Sequence, residues 1–463
     1  MIASKKCQKS TPTHPSCVTS LSAFHLPQEV WTQIFLFLSD EEKGNIRASC
    51  KYFKRLIDHP SLWRRSAVVL KRVHSYSAQF WTTLRRRKTS AAVVHKAATR
   101  DWELIAARLP WLTAITVEQC PDARALAALR RFGGLRRLVI RSFHCPAGLA
   151  GALAPLRALT HLCLCELQRA PRAELIGAVS QLAGLTSLSY HEGDKPISKR
   201  TLQGMLARLP HLKQLSLKLG PVYGTLPEDY FSLPATNRDV TSEATVLGRG
   251  DPPPSGLGLT RLELLNYMDP MLSPGALVSL SSLQSLTVSY RERAVRPSSC
   301  ALRTWLCKLP CLTELTVTRG YPLAVYVRLL PASLRRLCLL QLIVGDGDLR
   351  DLGKRTPGLQ HLHVDPSQGD GADCRSCPPS SQLETSNCAR CGSALHLNVT
   401  EWEFVGLARF QNLQQLVVLD ALPGPSPALL SLIHKLQIQT NYRVQVVHSL
   451  ALKDPAACFC SQY

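Results

Sequence analysis

The sequence predicts an α/β protein in which a three-helix N-terminal domain precedes a repeat solenoid of parallel strands with mostly helical returns. Three observations support this fold class. A leucine motif recurs along most of the 463 residues, aromatic residues make up only 6% of the chain, and a short N-terminal stretch is apolar without following the motif. Many similar leucine positions are typical of a stacked repeat rather than of one irregular core.

The first 25 residues are polar and rich in Ser, Thr and Pro, and we expect a disordered tail there. They lack the apolar stretch of a secretory signal, and no later run is long enough to cross a bilayer. The 17 cysteines are an odd number and many occupy strand-like positions. Reduced thiols in the cytoplasm, the nucleus or both are therefore expected, with no membrane association.

Residues 26–65 predict three short helices with a surplus of apolar side chains. Pro27 suits the first turn of a helix that is apolar nearly all round, in which Val30, Ile34 and Leu38 form one stripe. About forty residues cannot bury this much apolar surface by themselves, so the surplus indicates a protein partner. The alternative interpretation is a helical cap that shields the first repeat.

A motif runs in order through this segment. Its residues are Leu26, Pro27, Glu29, Val30, Ile34, Phe35, Leu38, Ser39, Ile46, Arg47, Cys50, Phe53, Leu56, Pro60, Leu62, Trp63 and Arg64. The pattern resembles the F-box motif, with Phe53 where the family more often has Trp. The resemblance implies binding to the SKP adapter (S-phase kinase-associated protein) and, through it, to a cullin scaffold. It makes Leu26, Pro27, Ile34 and Leu38 candidate adapter contacts.

Residues 66–110 carry apolar side chains at helical spacing, and we predict a helical linker that also caps the repeats. From residue 111 to 450 the motif L-x-x-L-x-[L/I/V] occurs nine times, with two looser copies that begin at Leu112 and Leu185, and most neighbouring copies lie 22 to 29 residues apart. This is the period of leucine-rich repeats, whose alternating leucines face one side of a short strand. Helical return segments of this length predict a curved, horseshoe-like array, and residues 451–463 are expected to form a C-terminal tail.

Two intervals between motif copies are too long for one repeat. The first spans 47 residues and predicts a projecting, mobile loop over residues 221–258, which is either a tolerated insertion or a binding loop. The second spans 54 residues and contains an insertion at residues 366–393 with two cysteine pairs. Four thiolates at the spacing CxxC, ten residues, CxxC can close a tetrahedral structural zinc site. Its ligands would be Cys374, Cys377, Cys388 and Cys391, and chance cysteine pairs in an insertion are the alternative. No cofactor other than this zinc is predicted.

In each repeat strand the residues between and just after the leucines face away from the core, and we expect them to line the inner surface of the array. Their charges nearly balance, with five basic and four acidic residues. The candidate target contacts are Arg137, Arg141, His161, Arg261, Arg336 and His361. A nearly neutral surface argues against a nucleic-acid groove and favours a protein target.

The net charge of +22 is concentrated early, with 16 basic and three acidic residues between Lys43 and Arg108. Such a patch favours an acidic partner, which agrees with the acidic adapter that the resemblance implies. Together with the repeats, the chain resembles the F-box/leucine-rich-repeat class. This implies a non-catalytic substrate-recognition subunit of an SKP–cullin–F-box ubiquitin ligase, which recruits an unidentified protein for ubiquitination. A repeat scaffold or inhibitor that binds a partner without ubiquitination is the alternative. The sequence offers no credible pair of a nucleophile and a general base, so an enzyme is not predicted.

Overall fold

The computed structural model of the protein describes residues 26–63, 66–119, 123–144, 148–168, 171–191, 196–220, 224–233, 258–292, 299–342, 344, 347–366, 406–420 and 427–450. The chain divides into two compact units. We call residues up to 68, together with 76–91, the helical unit, and residues 69–75 together with 92 onward the repeat unit. Within the described parts of the chain, no helix is long and apolar enough to span a bilayer.

The described residues of the helical unit form four helices and one 3-10 turn. They are α1 (Gln28–Leu36), α2 (Asp40–Ser49), α3 (Lys51–Ile57), the turn Pro60–Trp63 and α4 (Ala78–Arg87). Ser39 begins α2 with a capping box, because its hydroxyl accepts from the Glu42 amide at 3.2 Å while the Glu42 carboxylate accepts from the Ser39 amide at 2.7 Å. The predicted three-helix arrangement of residues 26–63 is confirmed.

The core of the helical unit is small and aromatic. Its buried members are Phe35, Leu56, Ile57, Leu62 and Trp63, and Trp31, Leu38, Ile46 and Phe53 pack against them. The Trp31 and Phe35 rings stack at 5.5 Å, and both meet the edge of Phe53. Phe53 therefore occupies the site of the bulkier Trp that the motif more often carries.

One buried carboxylate joins several elements of the helical unit. The Asp58 side chain is only 1% exposed, and its oxygens accept from the guanidinium groups of Arg47 and Arg87, each at 2.8 Å, and of Arg86. The Arg87 guanidinium also lies 3.7 Å above the Trp63 ring. Burial raises the pKa of the Asp58 carboxyl, but hydrogen bonds from Arg47 and Arg87 outweigh it and hold the pKa below its ordinary value.

The strands form one 14-stranded sheet whose spatial order is the sequence order. Neighbouring strands from β3 to β14 are parallel. The strands are β1 (Ala67–Leu70), β2 (Ala91–His95), β3 (Ala114–Glu118), β4 (Arg137–His144), β5 (His161–Gln168), β6 (Ser187–His191), β7 (Gln214–Lys218), β8 (Arg261–Tyr267), β9 (Ser285–Tyr290), β10 (Glu314–Thr318), β11 (Arg336–Leu342), β12 (His361–Pro366), β13 (Gln415–Asp420) and β14 (Gln445–Leu450).

The motif leucines align across this sheet and are buried. Leu138 pairs in register with Leu162, which pairs with Leu188, and the same alignment continues through Leu215 and Leu262. Each of these five side chains is at most 2% exposed. The predicted leucine core of a parallel repeat is therefore confirmed.

The return segments are less regular than the prediction of mostly helical returns. The helices of the repeat unit are α5 (Thr99–Arg108), α6 (Ala123–Leu126), α7 (Leu149–Leu153), α8 (Arg172–Val179), α9 (Lys199–Leu206), α10 (Leu302–Lys308), α11 (Asp348–Arg355) and α12 (Pro427–Gln439). Shorter 3-10 turns occupy Val73–Ser75, Ala127–Arg131, Leu323–Val325, Val327–Leu329 and Leu407–Arg409. The return between β8 and β9 contains turns and one isolated bridge, in which Leu272 pairs with Leu226, but no helix.

Two predictions about the repeat array need correction. Residues 66–110 contain helices α4 and α5 as expected, but they also contribute β1 and β2, whose β-branched valines favour strand geometry. Residues 224–233, predicted as part of a projecting loop, instead return to the core. Tyr230 and Phe231 are fully buried, and the Tyr230 hydroxyl donates to the Ile197 carbonyl at 2.8 Å. Two aromatic side chains in one turn outweigh the Gly and Pro content that suggested a free loop.

Several residues near the C-terminal ends of the strands lie in the left-handed region of backbone space. Ser142 (φ +48°), Glu166 (φ +53°) and Gln341 (φ +54°) lie within the last residues of their strands, and Arg319 (φ +60°) directly follows β10. Their side chains pair across neighbouring repeats: Ser142 donates to Glu166 at 2.5 Å, and Arg319 donates to Gln341 at 2.8 Å. These hydrogen bonds offset the steric cost of the backbone conformation.

A buried polar cluster lies past the end of β8. The Tyr267 hydroxyl donates to the Asp269 carboxylate at 2.7 Å, and the Ala301 amide donates to it at 3.3 Å. Tyr290 contacts Tyr267 edge to face at 5.3 Å. Gly320, at φ +84°, lies against the Tyr290 ring, which leaves no space for a β-carbon. Burial raises the pKa of the Asp269 carboxyl, which the Tyr267 hydrogen bond partly opposes.

Candidate functional sites

The first candidate site is the outward face of α1. Pro27 precedes the helix as its N-cap residue. Glu29 lies in the first turn, where its negative charge interacts favourably with the positive end of the helix dipole. Five apolar side chains are between 40% and 88% exposed along this segment, which is a large fraction for residues of this type. We call these residues the α1 patch: Leu26, Val30, Ile34, Leu36 and Phe37.

The three residues of the predicted apolar stripe of this helix do not share one environment. Val30 and Ile34 lie in the α1 patch, but Leu38 is half-buried and packs against the core of the helical unit. The reason is that α1 ends at Leu36, with Phe37 as the C-cap residue, so Leu38 no longer follows the helical period. Of the four predicted adapter contacts, Leu26 and Ile34 are exposed apolar side chains, and Leu38 has a structural role in the core.

The second candidate site is the face of the sheet opposite the leucine core, which we call the ladder face. A depression of about 480 Å³ lies on it across β4 to β10. Arg137, His161 and Arg261, three of the six predicted target contacts, line this depression. Arg137 on β4 and His161 on β5 are paired in register. The pKa of His161 is lowered by burial and, to a smaller extent, by the positive charge of Arg137.

The other three predicted target contacts lie elsewhere on the ladder face. Arg336 and His361 are paired in register on β11 and β12, and His361 Nδ1 lies 3.3 Å from the Gln415 side-chain oxygen. Arg141 is largely buried and forms an ion pair of 3.5 Å with Glu118 on β3. The structure therefore brings the six residues onto one face but not into one site.

A cluster of three side chains on the ladder face was not predicted as a site. Cys163 and Cys165 on β5 have their sulfurs 3.2 Å apart, and Cys165 Sγ lies 3.1 Å from His191 Nδ1 on β6. All three side chains are buried. The sequence carried a signal for this cluster, because Cys165 and His191 hold the same position in consecutive repeats and are therefore paired in register.

The predicted zinc ligands Cys374, Cys377, Cys388 and Cys391 lie outside the described residues. That zinc site therefore stays a prediction.

Comparison with known proteins gives one family match. Residues 23–68 match the F-box-like family model. The curated proteins give no match. A solved structure of a TLR13–ssRNA13 complex is similar at a TM-score of 0.37 and 14% identity, covering 79% of this chain. The present chain spans about half of that chain, 51% of its length. By the family match, the chain carries an F-box-like domain at residues 23–68. By its parallel sheet and aligned leucines, the part that follows is a solenoid of leucine-rich repeats.

Proposed function

We propose that the protein is the substrate-recognition subunit of an SKP–cullin–F-box ubiquitin ligase. In this role the F-box-like domain binds the SKP adapter and, through it, a cullin, while the ladder face binds the protein to be ubiquitinated. The protein itself carries out no chemistry. It acts by proximity, because a bound target has a raised effective concentration near the conjugating enzyme. Such a complex would work in the cytoplasm or the nucleus.

The α1 patch is the observation that carries this proposal. F-box domains generally bind the SKP adapter, and here the matched segment presents five exposed apolar side chains in one short region. Complete burial of one aliphatic side chain contributes about 1.5–3 kcal/mol, so covering the exposed part of Ile34 contributes about 1 kcal/mol. Covering the whole patch at the same rate would contribute about 6 kcal/mol as an upper estimate, which is a substantial part of a micromolar affinity.

The charge of the helical unit supports an acidic adapter. Between Lys43 and Arg108, where 16 residues are basic, Asp58 is the one acid that lies in this unit, and three arginines already surround it. It is therefore not free to counter charge elsewhere on the surface. The remaining basic side chains would attract an acidic partner and speed its association.

The ladder face supports a protein target rather than nucleic acid. Its depression combines Arg137, His161 and Arg261 with Glu263 and several serine and threonine side chains. Arg261 lies 3.8 Å from Glu314 on β10, so part of the positive charge is already balanced. A nucleic-acid groove requires clustered unpaired basic residues, whereas a mixed polar surface with a few anchors is typical of protein interfaces.

The proposal is tested by co-expressing the full chain with the SKP adapter and a cullin and recovering the complex. The double variant Val30→Asp, Ile34→Asp places two carboxylates in the α1 patch without touching the core. We expect it to weaken adapter binding by about 100-fold or more, because unpaired charges would be buried at the interface. Val278→Asp is the matched control, since Val278 is similarly exposed but lies in the repeat unit. Undiminished binding by the double variant would contradict the proposed role of α1.

The alternative is a repeat scaffold or inhibitor that binds its partner without ubiquitination. The two functions differ in what the α1 patch does for the target. A ligase receptor with the double variant should still bind its target but no longer promote its ubiquitination. If the wild-type chain binds the adapter but supports no ubiquitination of any captured partner in the reconstituted complex, the scaffold function is favoured.

A further inference from the structure

Three side chains of metal-binding type meet on the ladder face. The sulfur atoms of Cys163 and Cys165 and the Nδ1 atom of His191 lie within 4.8 Å of one another. Cys163 and Cys165 point to the same side because they are two residues apart on β5, and His191 is the neighbour of Cys165 on β6. Among the residues that the structure describes, no other group of three potential ligands is so compact.

The hydrogen bonds of His191 direct its Nδ1 lone pair at the sulfurs. On the other side of the ring, Nε2 lies 2.7 Å from the Ser216 hydroxyl, which in turn donates to the Glu263 carboxylate. Because the Ser216 proton is used on Glu263, its oxygen accepts the proton on Nε2. The imidazole is then neutral, with an unprotonated Nδ1 facing Cys165.

This arrangement matches the surroundings of a metal-binding histidine. In such sites the ring nitrogen that does not bind the metal donates a hydrogen bond that fixes the tautomer and the ring orientation. Here Ser216 and Glu263 provide this support from β7 and β8. An ordinary buried histidine would also need partners, but it would not need a thiol in contact with its second nitrogen and a further thiol within 4.8 Å.

Arg141 gives a second, independent indication. It is the register neighbour of Cys165 on the other side, and its Nε and Nη2 atoms are buried without a hydrogen-bond partner among the described residues. Unsatisfied buried N–H groups are costly. A thiolate at Cys165, such as metal binding produces, would accept hydrogen bonds better than a thiol does.

We propose that Cys163, Cys165 and His191 bind a zinc ion. Two thiolates and one neutral imidazole suit zinc by ligand type, and together with Zn²⁺ they have no net charge, which favours burial. Each ion bound releases the two thiol protons to solvent. Sulfurs at a Zn–S distance of about 2.3 Å are roughly 3.8 Å apart in a tetrahedral site, so the two sulfurs must separate by about 0.6 Å. Rotation of the cysteine side chains provides this change.

The ladder-face depression gives the ion access to the cluster. Cys163, Ser216 and Glu263 line the depression, so the cluster adjoins solvent-accessible space although its members are buried. Three protein ligands leave a fourth coordination position, which water occupies in the isolated protein. This site is separate from the predicted zinc site in residues 366–393 and does not depend on adapter binding.

The test uses the full-length chain with Cys374, Cys377, Cys388 and Cys391 replaced by serine, so that the other predicted site cannot contribute. The protein is prepared metal-free under reducing conditions and titrated with Co²⁺ and then with Zn²⁺. We expect one Co²⁺ per chain with the absorption of a tetrahedral cobalt–thiolate centre, followed by its displacement by Zn²⁺. The further change Cys163→Ser, Cys165→Ser should abolish this absorption. Cys338→Ser, which removes a cysteine from β11 on the same sheet, should leave it unchanged.

Ser216→Ala distinguishes a role in Zn²⁺ binding from a purely structural role of this hydrogen bond. Loss of the hydrogen bond to Nε2 should weaken Zn²⁺ binding by about 10- to 100-fold, as measured by competition with a chromophoric chelator. The thermal unfolding of the metal-free protein should change little by comparison. Absence of the cobalt–thiolate absorption in the starting protein, or its persistence in the Cys163→Ser, Cys165→Ser variant, would overturn the proposal. A Zn²⁺ affinity that Ser216→Ala leaves unchanged would overturn the role of the hydrogen bonds.

Discussion

Replacing Asp58 by asparagine tests whether this one carboxylate holds the helical unit together. Removing one partner of a fully buried ion pair costs about 3–5 kcal/mol. Asp58 is 1% exposed, but Arg47 and Arg86 are 26% and 56% exposed, so water compensates part of the lost attraction. Arg87 is only 14% exposed and retains its contact with Trp63. We therefore expect Asp58→Asn to destabilise the helical unit by about 2–3 kcal/mol.

Hydrogen–deuterium exchange of the full chain measures this effect locally. A loss of 2–3 kcal/mol should accelerate exchange in peptides from α2 to α4 by about 30- to 150-fold, while peptides of the repeat unit change little. Asp40→Asn is the matched control. Asp40 is half-exposed and lies 3.3 Å from Lys43, so its loss should cost less than about 1 kcal/mol.

The pH dependence gives the prediction a sign. Because the folded-state pKa of Asp58 lies below its ordinary value, the stabilisation is fully present at neutral pH and is lost as the pH falls through the folded-state pKa. The difference in exchange between the wild type and Asp58→Asn should therefore shrink below about pH 4. Equal protection of the two proteins at neutral pH would refute the reasoning, and so would a difference that grows on acidification.

Three further substitutions test the local structure. Ser39→Ala removes the capping box with Glu42 and should destabilise α2 by about 1 kcal/mol, measured by exchange in its first turn. Gly320→Ala places a β-carbon against Tyr290 at a positive φ and should lower the free energy of unfolding by about 2–4 kcal/mol in a urea titration. Asp269→Asn removes a carboxyl whose pKa is raised by burial. The wild type should therefore lose stability relative to this variant as the pH rises above about 4. A difference in the free energy of unfolding that stays constant with pH would contradict the raised pKa.

The repeat could be predicted because its physical cause is local in the sequence. The L-x-x-L-x-L spacing identifies which residues enter the core, and the register of Leu138, Leu162 and Leu188 follows directly. The left-handed residues at the strand ends could not be predicted in this way. Ser142 and Glu166 adopt this conformation because their side chains pair with each other across two repeats, a contact between residues 24 positions apart.

The helical unit shows the limit of a periodic interpretation. Helical spacing groups Leu38 with Ile34, but the helix ends before Leu38, and a helix end depends on capping contacts that the apolar pattern does not contain. For the cluster of Cys163, Cys165 and His191, the repeat pattern does locate the residues. Its members follow from the repeat numbering alone, yet the meaning of Cys165 beside His191 requires the supporting Ser216 and Glu263, which come from two further repeats.

The charges of the ladder face also have a consequence for mapping the target. Arg141 and Arg261, two of the predicted contacts, are within ion-pair distance of Glu118 and Glu314 on other strands. Replacing either arginine alone would remove a positive charge and take one partner from its acid, although Glu118 would keep His95, whose Nδ1 lies 2.9 Å from its carboxylate. A lost interaction could then come from the acid rather than from the arginine. Substitutions that remove both the arginine and its acid separate the two effects. If target binding is lost in the double variant as well, the arginine contacts the target directly, because no acid is left unpaired in that variant.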